Sequence, residues 1–236
     1  DLSEAAAAIA EEHDDVVVMG MGGSSLFPEV LHRTFGSGAG FPRMHVLDST
    51  DPDAVRRVLD ATDPARTFHL ASSKSGTTLE TRSHLETFWE RSGDGARFGV
   101  VTDPGSALGD LARERGFAHV FENDPDIGGR YSALSSFGMV PAALLDVDGE
   151  AILDAALDMA DALEPVDAEV DADNVGLRLA AAFGAAARAG REQLTIVIDP
   201  RLETFGLWVE QLVAAVVERA QAGGDVFLPL PVGGER

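Results

Sequence analysis

Apolar residues recur with two different periods along this chain, and the period changes near its middle. In the first half, short runs rich in β-branched and aromatic residues predict strands over Asp15–Met19, Met44–Leu47, Thr67–Ala71, Arg97–Val101 and His119–Phe121. Between them, apolar residues spaced for one face of a helix predict helices over Leu26–Phe35, Pro52–Leu59, Thr78–Arg91 and Ser106–Arg115. Strand and helix alternating at this spacing imply βαβ units, hence a parallel sheet covered by helices on both faces. The expected architecture is an α/β, flavodoxin-like doubly wound sheet of five parallel strands. After it, Ala133–Leu145, Glu150–Leu163 and Val175–Ala189 carry the helical period, with an acidic linker over Pro165–Asp173. Gln193–Ile198 reads as a strand, Leu202–Ala222 as a helix and Val226–Leu230 as a further candidate strand, so a second α/β unit is incomplete where the sequence stops. The expected division is a first domain over 1–145, a helical connector over 146–192 and a partial second domain over 193–236.

Composition narrows the function. The formal net charge of −22 argues against nucleic acid and anionic membranes as partners. No apolar run approaches the roughly 18 residues of a membrane span, and no N-terminal signal pattern is visible. With no cysteine there is no disulfide, thiolate chemistry or cysteine-based zinc site, which fits a cytoplasmic protein. The first residue is not methionine, which reads as an excerpt of a longer chain.

In so acidic a chain, an anionic ligand needs concentrated local donors. Ser72-Ser73-Lys74-Ser75-Gly76-Thr77-Thr78 supplies them, between an apolar strand and a helix, and Lys74 is the only lysine. Hydroxyls, free backbone N–H groups and a helix N-terminus form an anion site whose usual occupant is phosphate. The alternative is a plain loop in which Thr77 or Thr78 caps the following helix, with Glu80 or Thr81 close behind. A second loop, Gly20-Met21-Gly22-Gly23-Ser24-Ser25, follows the first strand; Ser25 stands where the dinucleotide fingerprint needs its last glycine. Both loops fall at the carboxyl ends of strands, the ligand-binding rim of a parallel sheet. The third element is Gly128-Gly129-Arg130-Tyr131-Ser132, where Arg130 either stabilises an oxyanion or makes a surface ion pair.

Gly20-Met21-Gly22-Gly23-Ser24, Ser73 to Thr81, Gly129-Arg130-Tyr131-Ser132 and Phe205 to Leu212 resemble, in order, the motifs of the phosphoglucose isomerase family. The likeness runs from about Asp15 to Ala214 and is nearest the isomerase part of bifunctional transaldolase/phosphoglucose isomerases. It implies sugar-isomerase (SIS) domains and an isomerase of glycolysis and gluconeogenesis. Glucose 6-phosphate and fructose 6-phosphate would interconvert through an enediolate, with no cofactor or metal. It also implies a cytoplasmic homodimer. By the same resemblance Gly23, Ser24, Ser73, Lys74, Ser75 and Thr78 bind the substrate phosphate, Gly129 and Gln211 contact substrate, and Arg130 is catalytic, stabilising the enediolate.

One stretch departs from the pattern. The family's catalytic glutamate lies four residues after the glutamine and opens a Glu-Ser-(Thr/Asn)-Gly-Lys motif; here that position is Ala215 and the motif is absent. The family's ring-opening histidine and C-terminal lysine lie further on; no histidine follows His119 and no lysine follows Lys74, so neither residue can be carried over. Glu218 is on roughly the same helical face, but one turn displaces it by about 5 Å where about 1 Å already matters. Losing a positioned base costs roughly 10²–10⁴-fold in rate. Binding without turnover is therefore expected, and the alternative is a catalytically inactive phosphosugar-binding SIS module or fragment. A nucleotide-binding protein is disfavoured by the missing dinucleotide and Walker motifs.

Overall fold

A computed structural model describes residues 2–164, 174–191 and 193–221, the last eight by backbone alone. The described residues divide into two compact units, one of residues up to Gly149 with Asp199–Trp208, the other of Glu150–Ile198 and residues from Val209 onward.

The first unit alternates helix and strand: α1 (Leu2–Glu12), β1 (Asp15–Gly20), α2 (Gly23–Phe35), β2 (Arg43–Leu47), α3 (Pro52–Ala61), β3 (Thr67–Ser72), α4 (Leu79–Ser92), β4 (Phe98–Thr102), α5 (Ala107–Glu114) and β5 (His119–Glu122). A 3₁₀ segment, Gly129–Leu134, then leads into α6 (Ser136–Leu144). The strands form one sheet in the order β2-β1-β3-β4-β5, every pairing parallel. This is the flavodoxin-like order expected from the sequence.

Every residue of β1, β3 and β4 is buried. Helices cover both faces there, so these strands read as mostly apolar runs rather than alternating ones. The edge strands β2 and β5 are only partly buried. Val17, Met19, Leu85, Phe88, Phe98 and Leu108 share one core cluster, and each such side chain contributes about 1.5–3 kcal/mol by leaving water. His69 lies among them on β3, its ring stacked on Phe98 at 4.5 Å between centroids, and burial pushes its pKa down to about 4.

Local signals set the helix ends. Asp51 accepts hydrogen bonds from the Asp53 and Ala54 N–H groups, and Pro52 opens α3 at the position that needs no N–H donor. Gly93 ends α4 in the left-handed conformation, φ 61°, with its N–H donated to Trp89 O. The single helix expected over Ala133–Leu145 is instead a 3₁₀ segment and then α6, because the Ser135 hydroxyl accepts from Phe137 N and starts a new helix there. Helix α1, absent from the sequence reading, packs on α6 and buries Ala6 and Ile9.

The second unit holds α7 (Gly149–Leu163) and α8 (Val175–Arg188), bridged by Asn174. Its side-chain oxygen accepts from Leu177 N and its amide donates to Leu163 O. Helix α9 (Glu203–Gln221) begins in the first unit and continues into the second. The strand expected over Gln193–Ile198 does not form: these residues have no regular structure, and Ile196 and Val197 are exposed. β-Branched residues fit a strand but do not supply the neighbouring ladder that a strand requires. The candidate strand Val226–Leu230 lies outside the described residues. Among the described residues no helix is long and apolar enough to cross a membrane.

Candidate functional site

Strands β1 and β3 are neighbours, and their register pairs Gly20 with Ser72. The two anion-type loops therefore leave the sheet side by side at its carboxyl rim. After β1 the chain turns at Gly22, whose φ of 59° suits glycine, and α2 starts at Gly23. A Cβ on Gly23 would lie 2.1 Å from the carbonyl oxygen of Gly129. Only glycine permits that approach, and through it the third motif reaches the first.

The loop after β3 is tied down along its length. Ser73 N donates to Val101 O at 3.0 Å, and the Thr102 hydroxyl donates to Ser73 O at 2.8 Å. Gly76 has φ +69° and sits so close to α5 that a Cβ would lie 2.6 Å from Leu108 N. Thr78 occupies the N-cap position of α4, yet its side chain caps nothing. Its hydroxyl pairs instead with the Ser73 hydroxyl at 3.0 Å, and the Ser75 and Thr77 hydroxyls pair at 2.9 Å. The plain-cap alternative thus describes where Thr78 sits but not what its hydroxyl does. Hydroxyls held by one another, beside a helix start that its own N-cap side chain leaves open, are the makings of an anion cradle.

The Lys74 ammonium donates to the Asp103 carboxylate and, at 2.7 Å, to Pro125 O. Met21, Gly23, Ser24, Ser72, Ser73, Lys74, Ser75, Thr78, Asp103 and Gly129 line a cleft of about 360 Å³. All six residues expected at a phosphate therefore converge on one cleft, with Gly129 on its wall. Arg130 follows in the 3₁₀ segment, half-buried, with its backbone nitrogen 3.7 Å from the position a Gly23 Cβ would take. Ser132 fastens that segment by donating to Gly129 O at 2.6 Å. Gln211 lies on α9 in the second unit, and Ala215 follows one turn later on the same helix.

Sequence reasoning placed Ser72 and Met21 in the two anion-type loops without singling them out, and it missed Asp103. The signal for Asp103 was available: Thr102-Asp103-Pro104-Gly105-Ser106 is another turn from strand to helix on the same rim.

A family model described as phosphoglucose isomerase matches residues 4–215. The glucose-6-phosphate isomerase of Rubrobacter xylanophilus is 33% identical over 214 residues, which cover 85% of this chain and 49% of that protein. Among solved structures, a hypothetical protein from Thermus thermophilus superposes with a TM-score of 0.77 at 29% identity, covering 89% of this chain and 51% of that one. A glucose-6-phosphate isomerase from Chlamydia trachomatis superposes with a TM-score of 0.68 at 27% identity, covering 89% and 41%. The matched stretch spans between about a third and a half of the length of the curated relatives, from 35% to 49%.

Proposed function

The chain belongs to the phosphoglucose isomerase family, and from that premise we propose that its cleft binds the phosphate of glucose 6-phosphate or fructose 6-phosphate. The observation that carries this reading is the convergence of Gly23, Ser24, Ser73, Lys74, Ser75 and Thr78 on one cleft. Ser73 and Thr78 would turn their hydroxyls from each other, and Ser75 from Thr77, to the phosphate oxygens, and Lys74 would supply the charge. Gly23 and Gly129 let two backbones close on the ligand. The reaction class is aldose–ketose isomerisation: a base moves a proton between C1 and C2, and the enediolate between them carries negative charge. The Arg130 guanidinium, a planar fork of N–H donors, is suited to hold that charge. A cytoplasmic homodimer belongs to the same proposal.

The proton carrier is the weak link. With Ala215 at the glutamate position, the site keeps its phosphate ligands and lacks the group that moves the proton. That substitution favours a second reading, a phosphosugar-binding module without turnover. Titrating fructose 6-phosphate calorimetrically while assaying isomerisation separately tests both readings; binding with no turnover is the expected result. Lys74→Ala removes a charge-assisted contact of roughly 1.5–3 kcal/mol, so affinity falls about 10- to 100-fold with the fold intact. Unchanged affinity would remove the lysine loop from the site, and measurable turnover would show that a group other than residue 215 carries the proton.

A further inference from the structure

A carboxylate on the wall of a phosphate cleft works against its ligand, and Asp103 is such a group. We propose that Asp103 is a built-in competing anion, which holds the Lys74 ammonium and keeps simple anions out of the cleft until a phosphate ester displaces it. The inference rests on the phosphosugar reading of the site.

The geometry is specific. One Asp103 oxygen, Oδ2, takes the Lys74 ammonium, and the other, Oδ1, is buried without a hydrogen-bond partner. The backbone keeps the pair together, since Asp103 N donates to Lys74 O at 3.2 Å and the neighbouring Thr102 hydroxyl donates to Ser73 O. The ammonium also donates to Pro125 O, so its resting place is the junction of three loops on the cleft wall. An arriving anion must draw the ammonium away or tolerate the carboxylate beside it. A small inorganic anion has few contacts with which to offset that competition. Inorganic phosphate and a phosphate ester both gain the hydroxyls of Ser24, Ser73, Ser75 and Thr78, and only the ester adds the contacts of its sugar. Asp103 thus sets a threshold that only a ligand with many contacts crosses.

The test is calorimetric titration with inorganic phosphate and with fructose 6-phosphate at fixed ionic strength. Asp103→Asn keeps the shape and removes the charge, and it should tighten both ligands on the order of tenfold, the cost of one nearby like charge at a partly exposed site. Asp103→Ser serves the same purpose should the asparagine variant fold poorly, with circular dichroism checking both. Asp126→Asn removes one charge from the loop that carries Pro125 without touching the Lys74 pair, and it should change affinity by less than about twofold. Unchanged or weaker binding in the Asp103 variants would overturn the proposal, as would equal tightening by Asp126→Asn. Should Asp103→Asn tighten inorganic phosphate while fructose 6-phosphate binds no better than phosphate alone, the competing-anion role stands and the phosphosugar reading falls.

Discussion

The contact between Gly23 and Gly129 makes the sharpest prediction, because it places two motifs distant in sequence within touching distance. In Gly23→Ala the new methyl would lie 2.1 Å from Gly129 O, where Cβ contacts under 3.0 Å essentially never occur. The two backbones must therefore separate by about 1 Å, and a shift of that size at a binding site costs up to about 100-fold in function. Gly129 O cannot simply swing aside, because the Ser132 hydroxyl donates to it at 2.6 Å. The displaced segments carry cleft-wall groups, and losing one charge-assisted hydrogen bond to phosphate costs roughly 1.5–3 kcal/mol. The affinity of Gly23→Ala for fructose 6-phosphate should thus fall about 10- to 100-fold, with about 1–3 kcal/mol of overpacking strain in its urea melt. Gly184→Ala is the control: a Cβ there meets nothing within 4 Å and the residue does not line the cleft, so affinity should change by less than about threefold. Calorimetry and urea unfolding of both variants decide the matter. Equal affinities for Gly23→Ala and the unmutated protein would refute the claim that this close approach builds the site.

Arg130→Ala should change the ground-state affinity for fructose 6-phosphate by less than about threefold while abolishing any residual isomerisation; turnover surviving the change contradicts its role as the enediolate's counter-charge. Acid should destabilise the fold through His69. Burial lowers its folded pKa to about 4, below the unfolded value of about 6.5. The unfolded chain takes up the proton first, so stability present above pH 6.5 is lost as the pH falls towards 4, by about 3 kcal/mol in all. Urea melts at pH 7.5 and 4.5 on the unmutated protein and on His69→Leu test this, and an equal acid loss in both would exclude His69 as the cause. Asp51→Ala removes the acceptor for two N–H groups at the start of α3 and should cost about 1 kcal/mol in the same melts; no change would mean water replaces the cap at no cost.

Strands β1, β3 and β4 were legible because burial on both faces makes them mostly apolar, with polar residues chiefly at their ends. Their order followed from the alternation with helices. Helix α1 was not legible: it is alanine-rich, and only Ala6 and Ile9 are buried, too few to mark a stripe. Thr195-Ile196-Val197-Ile198 misled for the opposite reason, since residue type favours a strand and only a paired neighbour makes one. At the site, the glycines and hydroxyls announced the loops, and the parallel sheet put those loops on one rim. Neither the register that sets Gly20 beside Ser72 nor the partner of Lys74 is written in local sequence. Asp103 lies 29 positions from Lys74 and meets it only because β3 and β4 are neighbours.

The Gly20–Ser72 pairing also bears on how the cradle comes apart. Both loops extend interior strands, so the amides at their bases belong to a fully buried ladder with a further strand on either side. A ligand gripped there stabilises the whole domain and not a flap, so saturation at a hundred times its dissociation constant should slow exchange throughout the sheet by about 2.7 kcal/mol. Wear at the outer strands β2 and β5, by contrast, would leave the grip untouched.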